Sequence, residues 1–200
     1  MRKLNKVYNK KYVEKIVAKK WRYKDIPLLV DTVYKHFKFK SMIDFGCANG
    51  IHVKEFMKRG IDTFGIEGTK DFSKEIEKNY GGDYLIHDLR KPLDLDRNFD
   101  LGMSLEVLEH IEEEYADIAV QNICNHSNIL CITASNIPKS GVHVNPQPKK
   151  YWIKKFESVK SFKFMKKETR EMEKTCREYG NVMPTWMRND LMIFRNITEK

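Results

Sequence analysis

The chain has no apolar run approaching the roughly 20 residues a membrane helix needs, so no membrane-spanning helix is expected. Met1 to Tyr12 is basic, but no apolar stretch of signal-peptide type follows, and no secretory leader is expected. Cysteine is sparse. Cys47, Cys124, Cys131 and Cys176 have neither the spacing of a metal finger nor that of a disulfide framework. They read as reduced thiols of a cytoplasmic protein. Internal repeats and low-complexity tracts are absent, which excludes solenoid and linker-like architectures. Proline is scarce too, with six in 200 residues, and three of them fall between Ala134 and Pro148.

What is present is a globular composition of single-domain length, 41% hydrophobic and 12% aromatic. Charge is unevenly spread. Residues 1–40 hold 13 basic against 3 acidic residues, net +10; residues 41–137 hold 9 against 18, net −9; residues 138–200 hold 15 against 7, net +8. Two basic ends around an acidic centre read either as attraction to a phosphate-bearing partner, RNA included, or as a lysine-rich solvated surface. Lysine outnumbers arginine and no tight aromatic–arginine cluster occurs, which favours the solvated surface. Oligomeric state has no signature here.

The chain is organised around Ser41 to Gly50. Met42, Ile43 and Phe45 suit a short buried strand with Asp44 near its end. Gly46, Cys47, Ala48 and Gly50 then form a turn with small residues at every second position, and Ile51 to Arg59 has helical spacing. Strand, small-residue turn and helix is how an open α/β sheet lets backbone approach a nucleotide. The spacing D-x-G-x-A-x-G differs from the dinucleotide pattern G-x-G-x-x-G.

Upstream, Val13 to Lys20 and Ile26 to Phe37 read as helices, the second capped by Asp25, with Trp21 and Tyr23 between them as packing or acceptor-side residues. The first ten residues are expected to fray. Downstream, Ile61 to Glu67 reads as a second strand ending in an acid placed to accept ribose hydroxyls, just before Gly68. A helix over Asp71 to Tyr80, a strand over Tyr84 to Ile86, a loop over Pro92 to Arg97 and a strand over Phe99 to Leu105 follow. Then come a helix over Val107 to Cys124 and a continuously apolar strand over Asn128 to Thr133. After the proline-rich loop, Lys149 to Val159 reads as a helix, Ser161 to Met165 as a strand, Lys166 to Tyr179 as a helix and Leu191 to Phe194 as an antiparallel last strand. The alternation predicts one α/β domain over residues 1–200. Its parts are N-terminal helices (1–40), a Rossmann-like ligand-binding core (41–135) and an acceptor-side loop with C-terminal strands (136–200).

Glu106, Glu109 and His110 stand at i, i+3 and i+4 of the predicted helix and so share a face. His143, in the loop after the fifth strand, is expected to reach the same edge. Two carboxylates and two imidazoles make a hard, oxygen-rich site suited to Mg²⁺ or Mn²⁺, which would lower the pKa of a hydroxyl. The alternatives are His110 or His143 as a general base, and purely structural histidines.

Asp44 to Gly50, Gly65-Ile-Glu67, His87-Asp88-Leu89, Phe99-Asp100-Leu101 and Ser104 to His110 resemble class I S-adenosylmethionine (SAM)-dependent methyltransferases in order and spacing. Ala48 stands where those enzymes usually have glycine. His143-Val-Asn145-Pro-Gln147 with Tyr151-Trp152, and Pro184 to Leu191, resemble the later motifs of one branch of that family. Pro146, Met187 and Asp190 depart from the branch's pattern. The resemblance implies a seven-stranded, mostly parallel sheet covered by helices on both faces. It further implies that Asp88 and Leu89 hold the adenine and that Ser104 and Leu105 line the cofactor. The E-x-x-E-H pattern with a later histidine is also similar to metal-dependent O-methyltransferases of polyprenyl catechols and of small-RNA ribose ends. The expectation is therefore SAM-dependent O-methylation of a polar small molecule, such as a sugar or nucleotide sugar. His143, Asn145, Gln147, Trp152, Trp186 and Arg188 are the candidate acceptor contacts. RNA ribose methylation is the alternative, and a non-catalytic SAM-binding module the second alternative.

Overall fold

Met42 and Ile43, neighbours in sequence, belong to opposite hydrophobic cores. The alternation that puts them there runs through the whole sheet, because successive side chains of a strand point to opposite faces. The computed structural model describes residues 4–18, 25–139 and 142–198. Its strands are β1 (Ser41–Phe45), β2 (Asp62–Glu67), β3 (Tyr84–Ile86), β4 (Phe99–Leu105), β5 (Ser127–Thr133), β6 (Phe162–Phe164) and β7 (Met192–Asn196), in the order β3-β2-β1-β4-β5-β7-β6. β1 to β5 are parallel, and β7 inserts antiparallel between β5 and β6. The fold is thus the expected Rossmann-like α/β sheet.

The helices are α1 (Leu4–Val7), α2 (Lys10–Val17), α3 (Ile26–Phe37), α4 (Ile51–Met57), α5 (Ser73–Asn79), α6 (Ala116–Asn125), α7 (Lys149–Ser158), α8 (Lys166–Glu178) and α9 (Thr185–Asn189). One face of the sheet (Met42, Leu101, Met103, Cys131, Ile193) packs with Val30 and Val33 of α3, Val53 and Phe56 of α4, and Met172 and Cys176 of α8. The other (Ile43, Phe45, Ile66, Leu130, Ile132, Phe194) packs with Ala119, Val120 and Ile123 of α6 and Trp152 and Phe156 of α7. Among the described residues no helix is long and apolar enough to cross a membrane.

Trp152 corrects an expectation. Instead of standing at the mouth of the site, it is fully buried in the second core, its ring edge-on to Tyr151. The helical spacing of Trp152 and Phe156 serves packing. Trp152→Ala is expected to destabilise the fold by about 3–5 kcal/mol. A melting curve barely displaced from that of the unsubstituted protein would refute this placement.

Three local readings also change. Val107 to Cys124 is not one helix. It begins as two 3₁₀ turns, Leu108–His110 and Glu113–Tyr115, before α6. Ile111 and Glu112 are extended between the turns, and Glu106 holds a left-handed φ of 58°. The Glu106 N–H is tied to both Thr133 O and Thr133 Oγ1 at 3.1 Å, so the chain leaves β4 in a fixed turn. Asp25 makes no side-chain cap on α3, where Pro27 stands in the first turn. The N-terminus is helical from Leu4, and Asn9 caps α2 by accepting from the Tyr12 N–H at 3.2 Å. Trp21, Tyr23 and the predicted helix end at Lys19-Lys20 lie outside the described residues.

Candidate active site

The turns after β1, β2, β3 and β4 line one cavity of about 840 Å³, within the range of small-molecule sites. At its floor, the N–H groups of Gly46 and Cys47 both donate to Ile66 O, at 2.8 and 2.9 Å. Gly46 has φ +90°, and a Cβ there would lie 2.5 Å from Val107 Cγ2. Ala48 is left-handed at φ 49°, and its N–H donates to Glu67 Oε2 at 3.0 Å. The Thr69 N–H donates to Glu67 Oε1 at 2.9 Å. Glu67 thus fastens the two turns together. Each carboxylate oxygen has two lone pairs, so capacity remains for a ligand hydroxyl.

Asp44 and Glu67 are both buried, and neither forms an ion pair among the described residues. Burial, then the neighbouring Glu67, raises the Asp44 carboxyl to about 7. Burial raises Glu67 to about 7 against the opposing N–H groups of Thr69, Ala48 and Gly68. Buried acids without a cation fit a ligand that brings positive charge, as the sulfonium and ammonium of SAM do. Both values lie above those of unfolded carboxyls, near about 4. Between pH about 4 and about 7 the folded chain therefore holds protons that the unfolded chain has released. The stability from these groups is complete below pH about 4 and is lost as pH rises through about 7. Melting temperature is expected to fall from pH about 5 to about 8, with a shallower slope in Asp44→Asn; equal slopes would contradict the assignment.

Asp88 is held by its neighbour. Arg90 Nε donates to Asp88 Oδ1 at 2.9 Å and Nη2 to Oδ2 at 2.8 Å, while Nη1 reaches both Glu112 oxygens at 3.0 Å. Desolvation opposes ionisation of Asp88, but the hydrogen bonds and charge of Arg90 prevail and hold its carboxyl below the ordinary value. Arg90, almost fully buried, ties the loop after β3 to the turn before α6. Arg90→Met leaves two acids facing each other and is expected to weaken S-adenosylhomocysteine binding about tenfold in calorimetry. Unchanged affinity would show that the loop holds without it.

At the far side, Glu109, His110 and His143 each place a ligand atom within 4.8 Å of the others. Glu109 is fully buried, and neither carboxylate oxygen makes a hydrogen bond of normal geometry. Burial, then the charge of Glu106, raises it to about 8, with the Glu109 and Ser135 N–H groups nearby opposing the rise. His110 Nδ1 lies 3.0 Å from Val142 O, and His143 Nδ1 lies 2.8 Å from Ile137 O. A carbonyl only accepts, so each Nδ1 carries the proton and each Nε2 of the neutral ring bears the lone pair. Backbone bonds of this kind orient metal-binding histidines. The rings meet edge to face, centroids 4.9 Å apart.

The convergence has a different cause from the helix face expected. Glu109 and His110 sit on a 3₁₀ turn, and Glu106, left-handed before it, lines the cavity outside the three-residue cluster. The loop after β5 is stapled to that turn, with the Val144 and Asn145 N–H groups donating to Glu109 O at 2.9 and 3.0 Å.

Of the proposed cofactor residues, Asp44, Gly46, Cys47, Ala48, Glu67, Gly68, Asp88, Leu89 and Leu105 line the cavity. Gly50 and Ser104 do not. Gly50 precedes α4 with φ +72°, and Ser104 is fully buried within the sheet. Of the acceptor candidates, His143, Trp186 and Arg188 line it, whereas Asn145, Gln147 and Trp152 do not. Sequence reasoning missed Arg90 and also Leu4 and Tyr8, which line the N-terminal side. Tyr8 stands edge-on to His110 at 5.7 Å. The four-residue spacing of Leu4, Tyr8 and Tyr12 was the available signal.

The methyltransferase domain family matches residues 43–126, from β1 through α6. The match covers 84 of the 200 residues, and the fold of the chain is that of class I methyltransferases. Its fold extends beyond that match. A TehB-like SAM-dependent methyltransferase from Corynebacterium glutamicum superposes with a TM-score of 0.67 at 16% identity, over 94% of this chain and 100% of that one. DesVI of Streptomyces venezuelae gives 0.52 at 21% identity, over 70% of this chain and 61% of its own. SAM-bound CalS10 of Micromonospora echinaspora, an amino pentose methyltransferase of calicheamicin biosynthesis, gives 0.51 at 18%, over 56% of this chain. The chain spans only half the length of CalS10. No curated protein matches the chain.

Proposed function

We propose that the protein is an O-methyltransferase that transfers the methyl group of SAM to a hydroxyl of a polar small molecule, with a divalent ion at Glu109, His110 and His143. The observation that carries this reading is the placement of that three-ligand cluster in the same cavity as the Gly46–Ala48 turn. A buried carboxylate and two imidazole Nε2 lone pairs suit Mn²⁺ or Mg²⁺, and the imidazoles favour Mn²⁺. The ion, when bound, supplies the positive charge that lowers the pKa of an acceptor hydroxyl.

The remaining work falls to side chains of this chain. Glu67 and Asp44 hold the cationic, hydroxylated end of the cofactor. Glu106, beside Glu109 on the cavity wall, is placed to take the proton that leaves the hydroxyl. Tyr8 and Leu4 line the cavity's N-terminal side. The methyl group moves to oxygen, the hydroxyl proton leaves, and the sulfonium becomes a neutral thioether. An amine acceptor is nucleophilic once neutral and needs no such cluster, which is why oxygen is favoured. The amino pentose acceptor of CalS10 supports a sugar-like acceptor class.

The test is methyl transfer from labelled SAM to panels of polyhydroxyl and amine acceptors, with and without Mn²⁺. Transfer to hydroxyls that requires Mn²⁺ is expected. Amine methylation that persists unchanged in His143→Ala would sink the reading.

A further inference from the structure

The cavity carries acids at its cofactor end, Asp44, Glu67 and Asp88, and Glu106 and Glu109 beside the acceptor. It is also lined by three cations, Lys15 of α2, Lys139 of the loop after β5 and Arg188 of α9. Among the described residues none of these three cations is in an ion pair, although Arg59, Arg90, Arg97 and Arg177 are. Lys15 and Lys139 are exposed on the rim. Arg188 is half-buried. Its Nη2 donates to Thr185 Oγ1 at 3.2 Å, within its own helix, and its Nε is fully buried without a hydrogen-bond partner.

We propose that Arg188 anchors an oxyanion of the acceptor, a phosphate or diphosphate group, with Lys15 and Lys139 adding charge at the rim. This rests on the methyltransferase reading and narrows its acceptor class from polar small molecules in general to phosphorylated ones. A guanidinium presents a planar fork of donors that matches a phosphate in two parallel hydrogen bonds. A buried N–H without an acceptor is costly unless a ligand completes it. An anionic acceptor supplies both a counter-charge and an acceptor for the buried Nε. Trp186, two residues earlier on α9, lines the same wall and offers an aromatic face for the body of the acceptor. The cations come from three separate segments of the chain and line the same cavity.

The experiment is a calorimetric titration in two stages at low salt. S-adenosylhomocysteine is titrated first, then pyrophosphate into the saturated protein. Unsubstituted protein, Arg188→Gln, Arg188→Lys and the remote variant Lys163→Ala are compared. Pyrophosphate affinity is expected to fall at least about tenfold in Arg188→Gln, to recover partly in Arg188→Lys and to stay level in Lys163→Ala. S-adenosylhomocysteine affinity is expected to be the same in all four, which shows that each has folded. Equal pyrophosphate affinity in Arg188→Gln, or no pyrophosphate binding to protein that does bind S-adenosylhomocysteine, would overturn the proposal. A short single-stranded RNA that binds more tightly than pyrophosphate, and through Arg188, would overturn its small-molecule half. Failure of the first stage would instead overturn the methyltransferase reading.

Discussion

Glu109→Ala is expected to lower methyl transfer by about three orders of magnitude without unfolding the protein. The two halves of that result come from one arrangement. Glu109 is fully buried, its oxygens lack hydrogen bonds, and Glu106 stands nearby, so burial and like charge hold it at about 8. A carboxyl kept in such a place works against stability wherever it is ionised. Above pH about 8 the isosteric Glu109→Gln is therefore expected to melt at a higher temperature than the unsubstituted protein, because it cannot ionise. Activity lost with stability kept or gained is the signature of a functional group. Parallel loss of both in Glu109→Gln would mark a structural carboxyl instead.

The second large effect is at Gly46. A side chain there is refused twice, by φ +90° and by Val107 Cγ2 at 2.5 Å from the position of a Cβ. Strain at a non-glycine residue of this conformation costs about 1–3 kcal/mol, and overpacking costs a similar amount. Gly46→Ala is expected to lose about 2–5 kcal/mol of stability and at least about a hundredfold in S-adenosylhomocysteine affinity. Adding Val107→Ala removes the clash but leaves the backbone strain, so the pair should recover only part of the loss. Wild-type affinity in Gly46→Ala would mean that this turn does not touch the cofactor. Ala48 carries a milder form of the same tension, since it holds φ 49° with a methyl group in place.

How much of this was legible in the sequence depends on the range of the interaction. The parallel core was legible because β1 to β5 announce themselves as short apolar runs, with helical patterns following β1, β2 and β4. The antiparallel β7 was legible from its position after the last helix. The turn at Gly46 and the acid at Glu67 were legible because strand ends and small residues mark them locally. Glu109, His110 and His143 were identified, but by a helix-face argument that the 3₁₀ turn replaces. The pattern Val107, Leu108, Ile111 satisfies helical spacing equally well, and the Glu106 N–H bonds that fix the turn go to Thr133, 27 residues away. Trp152 was misplaced for a related reason. An aromatic residue beside a ligand loop reads as a contact residue until the opposite face of the sheet claims it. The bridge from Arg90 to Glu112 spans 22 residues with no pattern to betray it.

The measurement that tests the account most directly is a calorimetric titration of Mn²⁺ into protein saturated with S-adenosylhomocysteine, beside the His143→Ala variant. One site is predicted in the unsubstituted protein, weakened at least about a hundredfold in the variant. Binding of equal strength in both proteins, or no binding in either, would contradict the claim that Glu109, His110 and His143 form an ion site beside the cofactor.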